Sequence, residues 1–148
     1  ILKHSPELSK RAIPLFNYVR NESTVPAKAR ELAMLTTARA MDCPYIWNAH
    51  VALGRQAGLS DSLVDALRDK QPIPQMSPEE SAVLNLGMEF FLPHRVSQDT
   101  FQAALDQFGE QGFVELTTLM GFYAMLAFNA NAVDLGLPHD LVEEPLPI

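Results

Sequence analysis

Cys43-Pro44-Tyr45-Ile46-Trp47-Asn48-Ala49-His50 is the stretch from which the rest of the chain is read. Proline fixes φ near the helical value and lacks an N–H that a first turn leaves unused. A helix is therefore predicted to begin around Asp42–Pro44, and Gly58 is its expected end. Each helical residue advances about 100°, so Cys43, Trp47 and His50, at i, i+4 and i+7, share one face flanked by Ile46 and Gly54. Cys43 is expected in the first turn, where free N–H groups and the helix dipole favour a thiolate or a bound carboxylate. His50 lies two turns deeper, and an imidazole can hold or pass a proton near neutral pH.

Outward from this stretch the hydrophobic period is helical, with no strand alternation. A helix is predicted from Pro26 to about Met41, with Thr24 as its candidate cap. Its short connection to the next helix makes the two antiparallel neighbours, so Glu31 is placed to reach His50. An earlier helix falls within Ser5–Tyr18, where Pro14 is expected to kink or end it. A short helix is capped by Ser60 and runs to about Lys70. Pro72 and Pro74 then mark a linker. Ser77-Pro-Glu-Glu80 is a capping box that opens a helix to about Leu92, where Pro93 stops it. Ser97 opens a helix ending near Gly109, and the longest helix spans about Gln111–Ala132. A Pro-rich tail after Gly136 is expected to drape over a surface or a neighbouring subunit. Glu31-Leu-Ala-Met-Leu and Glu115-Leu-Thr-Thr-Leu echo one another, five positions being too few to define a repeat.

The chain has 148 residues, a length suited to one domain (1–148) with a substantial core. Hydrophobic residues make up 47% and charged residues 20%, which argues against disorder. A net charge of −7 disfavours nucleic acid as a partner. No consecutive apolar run reaches the roughly 18 residues of a membrane span. A single cysteine excludes an internal disulfide framework and suits a reducing compartment, with cytoplasm as the expectation. An apolar content this high in a thin helical array also predicts a homo-oligomer.

Spacing alone leaves two readings of the cysteine, tryptophan and histidine open. They form either a reactive face or a small buried thiol, a satisfied core histidine and a core indole. Cys and His seven apart, without further ligands nearby, do not make a zinc set. Tyr123 is mostly core by pattern but is able to line a pocket. Phe90, Phe91, Phe113 and Phe128 read as core. Tyr45 lies off the Cys43–His50 face and reads as an interface residue. His4, His94 and His139 are expected to be exposed, and Asn129 and Asn131 to tie down the tail or a subunit contact.

Arg30-Glu31-Leu32, Cys43-Pro44-Tyr45, Trp47, His50 and Ala57-Gly58-Leu59-Ser60 together resemble the carboxymuconolactone decarboxylase and alkylhydroperoxidase D family, most closely over residues 27–67. The resemblance implies an all-α bundle of six to seven helices and a trimer or hexamer. It implies a site built on Glu31, Cys43 and His50; Ile46, Trp47 and Tyr123 are the residues expected against the substrate. The family pattern is a glutamate, eleven residues, Cys-x-x-Cys, three residues and a histidine; here Ile46 stands at the second cysteine. The peroxidase branch of the family needs both thiols, so turnover through an intramolecular disulfide is excluded. Cys43 alone could still form a sulfenic acid resolved by an external thiol. The decarboxylase branch needs no cysteine pair and no cofactor. Decarboxylation of a carboxylated unsaturated lactone, with His50 as acid and Glu31 as orienter, is thus the first expectation. A single-thiol peroxidase and a non-catalytic helical assembly are the alternatives.

Overall fold

The computed structural model describes residues 1–148 and is all-α, with no strand. A short 3-10 turn (Leu2–His4) leads into α1 (Pro6–Asn17) and then a wide π turn (Tyr18–Glu22). Next come α2 (Ala27–Ala40), α3 (Pro44–Gln56), α4 (Asp61–Arg68), α5 (Pro78–Phe91) and α6 (Gln98–Asn131). Gly109, at φ 67° and ψ 179°, breaks α6 where the sequence separates two helices.

The caps are where local chemistry places them. Ser60 accepts from the Leu63 N–H, Ser77 and Glu80 close a reciprocal box, and Ser97 accepts from the Thr100 N–H. Thr24 does not cap α2, which starts on Pro26; its hydroxyl and N–H both go to Glu115 instead. Pro14 neither ends nor breaks α1, because its site is exposed and water can take the carbonyl bond it forfeits.

α2 is the central rod. Leu32, Ala33, Met34 and Leu35 are buried in succession, so this stretch is covered on every side, packed by α3, α5 and α6. α6 contributes Leu116, Leu119, Met120 and Tyr123 to the same core. No consecutive apolar run reaches a membrane span, although an 18-residue window of α6 is apolar enough on average (mean hydropathy 1.3) to do so by length and composition. Here much of that surface packs against protein. Of the phenylalanines read as core, Phe90, Phe91 and Phe113 are half-buried, whereas Phe128 is 68% exposed.

The tail crosses the chain's own surface. Arg55 and Arg68 pair with Glu143 and Glu144 (3.3 and 2.8 Å), Arg39 donates to the Pro147 carbonyl (2.8 Å), and Leu146 is buried. Asn131 ties the end of α6 to the Met41 carbonyl (2.8 Å), while Asn129 bonds within its own helix. His4, His94 and His139 are exposed.

Candidate active site

The α2–α3 hairpin assembles the site. Its turn is closed by Asp42 at φ 44° and by the Cys43 N–H donating to the Ala38 carbonyl (2.9 Å). One turn past His50, Gly54 lets the helices approach: a Cβ there would sit 3.0 Å from both Leu35 Cδ1 and Leu59 Cδ1 and 3.8 Å from Glu31 Cβ. That approach brings Glu31 Oε2 to 2.9 Å from His50 Nδ1.

On the other side of the imidazole, Tyr123 of α6 brings its hydroxyl to 3.1 Å from His50 Nε2, with the two rings edge-on at 5.1 Å. A carboxylate only accepts, so Nδ1 carries the proton that Glu31 receives. In the neutral ring Nε2 then accepts from the Tyr123 O–H. Glu31, His50 and Tyr123 thus form one hydrogen-bonded chain across three helices. Burial pushes the Tyr123 phenol above its ordinary pKa; the positive charge of Arg20 opposes the rise and the negative charge of Glu31 adds to it. The phenol is held as a proton donor.

This chain opens into a cavity of about 430 Å³ between α3, α6 and the N-terminal arm, residues 1–22, made of the 3-10 turn, α1 and the π turn. His50 and Tyr123 line it together with Ile46, Ala49, Phe16 and Arg20. Of the six residues singled out in the sequence, Ile46, His50 and Tyr123 face the cavity, and Glu31 stands behind His50. Cys43 and Trp47 do not line it. Cys43 is the cap residue just outside the first turn of α3, and both side chains are wholly buried. The shared helical face expected of Cys43, Trp47 and His50 therefore turns its upper part into the core, where α2 and α6 cover it. The indole Nε1 has no acceptor. Tyr45, read as an interface residue, lines the cavity and is 41% exposed.

Sequence reasoning missed Phe16 and Arg20. They reach the site because the arm folds back over α6, Phe16 stacking on Phe122 at 5.1 Å. Nothing in their local pattern signals this. The echo at Glu115 is not a second site. Burial opposes its ionisation, but hydrogen bonds from Thr24, Tyr18 and Gln111 outweigh that and hold its pKa at about 2. A larger hollow of about 790 Å³ lies between α2, α4 and α5, and no histidine, cysteine or glutamate lines it.

Three solved structures share this fold. A protein of unknown function from Agrobacterium tumefaciens, described in terms of antioxidant defence and AhpD, is 21% identical with a TM-score of 0.81, covering 94% of this chain and 96% of its own. A peroxidase-related protein from Ralstonia eutropha with an alkylhydroperoxidase AhpD core is 17% identical with a TM-score of 0.74, over 93% of this chain and 74% of its own. Another from Silicibacter sp. TM1040 is 16% identical with a TM-score of 0.74, over 91% and 72%. No curated protein matches the chain. The model of the carboxymuconolactone decarboxylase family matches residues 6–87, more than half of the sequence and inclusive of Glu31, Cys43 and His50, and the protein belongs to that family.

Proposed function

We propose that the protein is a lyase or isomerase that moves a proton on a small carbonyl-containing carboxylate, with Glu31, His50 and Tyr123 as its relay. The observation that carries this reading is the carboxylate–imidazole–phenol chain ending at an apolar cavity. In the decarboxylating version, the bond from the ring carbon to the carboxylate breaks and CO₂ leaves. The electron pair passes into the conjugated carbonyl as a dienolate. Tyr123 O–H turns from Nε2 to donate to the developing oxyanion, and Nε2, having taken a proton from solvent before the step, delivers it to carbon and leaves His50 neutral again. Glu31 orients the ring and offsets its charge while both nitrogens are protonated. Apolar walls strengthen each of these interactions by excluding water. The same parts serve an isomerisation in which the proton leaves one carbon and returns to another.

Carboxylated unsaturated lactones, followed by NMR in D₂O, test the reading through product formation and deuterium incorporation at carbon. His50→Ala and Glu31→Gln are expected to lose on the order of 100-fold or more, the usual size of an acid–base contribution. Tyr123→Phe is expected to lower kcat more than it raises KM. Unchanged exchange in His50→Ala refutes the relay.

The peroxidase-related solved structures motivate the second reading, a thiol peroxidase. Cys43 is the only cysteine and is wholly buried, while Ile46 occupies the cavity wall one turn on. Catalytic reduction of an organic hydroperoxide by the wild type, abolished in Cys43→Ser, would establish that reading in place of the first.

A further inference from the structure

We propose that Arg20 is the seat for the substrate's carboxylate, so that the cavity selects small anions and presents them to Tyr123 and His50. This rests on the proton-relay reading for its catalytic meaning, but not for its binding chemistry.

The chain has seven arginines. Arg11, Arg39, Arg55 and Arg68 each pair with at least one carboxylate, and Arg30 donates to the Val25 carbonyl. Arg95 is exposed. Arg20 alone is half-buried with no carboxylate or carbonyl acceptor, although the sequence carries 18 acidic residues that could have supplied one. Its nitrogens are not buried, so its donors are free to take an acceptor from something other than the chain.

Its placement shows what that something is. Arg20 projects from the π turn into the cavity that holds His50 and Tyr123. Its guanidinium carbon lies over the Phe16 ring, 5.5 Å from the ring centre, a cation–π contact that holds the group in the cavity wall without using its N–H donors. A planar fork of donors suits a carboxylate held by two parallel hydrogen bonds. The walls around it, Ile13, Phe16, Ile46 and Leu126 among them, are apolar and suit a flat hydrocarbon or heterocyclic body. The positive field of Arg20 also reaches the Tyr123 hydroxyl, where it counters the burial of the phenol. Arg20, Tyr123 and His50 line the same cavity, so an anion bound at Arg20 shares that space with the relay.

Binding of benzoate and phenylacetate, each against its neutral amide, tests this by calorimetry and by saturation-transfer NMR. The wild type is expected to prefer each anion to its amide by on the order of tenfold to a hundredfold, the range of a charge-assisted hydrogen bond. Arg20→Gln should abolish that preference, Arg20→Lys should keep part of it, and His50→Ala should keep most of it. Far-UV circular dichroism establishes that each variant is folded. Equal affinity for anion and amide in the wild type, or an undiminished preference in folded Arg20→Gln, overturns the assignment. If anions bind through Arg20 but no carboxylate is turned over, the relay reading fails and the seat stands. Turnover that depends on His50 with an unchanged KM in Arg20→Gln has the opposite meaning.

Discussion

Replacing Glu115 with glutamine keeps the shape of the side chain and removes its charge. Glu115 is 6% exposed. One of its oxygens accepts from the Thr24 N–H and hydroxyl at 2.7 and 2.6 Å, the other from Tyr18 and from Gln111, the last at 2.9 Å. An amide has one accepting oxygen, so one pair of donors must face an NH₂ group. The hydrogen bonds lower the pKa from the ordinary 4.5 to about 2. That difference of about 2.5 units is worth at most about 3 kcal/mol, and solvent at the rim of the site reduces it to about 2 kcal/mol. The sign follows from the depressed folded-state value. The stabilisation is present above the unfolded-state pKa near 4.5 and is lost as pH falls towards about 2. Urea denaturation followed by circular dichroism at pH 7 should show Glu115→Gln less stable by about 2 kcal/mol. At pH 3 the gap should have closed by about half, because the unfolded wild-type chain then takes up a proton that the folded chain refuses. A gap that stays constant from pH 7 to pH 3, or one below about 0.5 kcal/mol at pH 7, refutes the claim that this carboxylate ties the N-terminal arm to α6.

Gly109 occupies a φ/ψ region essentially reserved for glycine, so Gly109→Ala should cost about 1–3 kcal/mol in thermal or urea unfolding although a Cβ there would meet nothing within 4 Å. A Cβ on Gly87 would lie 2.6 Å from Thr36 Cγ2, between α5 and α2. Gly87→Ala is therefore expected to destabilise by about 1–3 kcal/mol despite its better helix propensity, with Thr36→Ser recovering most of the loss. Cys43 is wholly buried, so an aromatic disulfide reagent should label it in the native protein only as fast as the chain opens, and much faster in urea. Cys43→Ser should leave lyase or isomerase turnover within about an order of magnitude, since the general acid–base contribution resides in the relay.

The local grammar of the sequence carried most of the fold. Ser60, the Ser77–Glu80 box and Ser97 announce helix starts because a cap is a contact between residues two or three apart. Gly109 announces the break in α6 because its constraint is its own φ. Glu31 and His50 were paired in advance because a short hairpin leaves two helices little choice of neighbour. The relay's third member is legible only once α6 is docked, since Tyr123 is 73 residues from His50 in the chain. Cys43 and Trp47 show the limit of helical-wheel reasoning. A face is an angle about an axis, and along one angle a helix can pass from cavity to core. Thr24 does not cap α2 because it stands two residues before the cap position, Pro26, and its side chain is oriented by donating its O–H to Glu115.

The N-terminal arm has a consequence for how the cavity trades contents with solvent. α1 contains no buried residue, and the arm is fastened mainly at its far end, where Phe16 stacks and Glu115 grips the π turn. Swinging the arm outward exposes little apolar area, whereas unfolding α2 would expose most of the core. Opening of this wall and global unfolding are therefore separate events on separate free-energy scales. Exchange of the cavity's contents can then run on the timescale of an arm's excursion, with Glu31 on α2 and His50 on α3 left at rest. The Glu115 hydrogen bonds, which hold the π turn and Thr24 to α6, fix the point about which such an opening would turn.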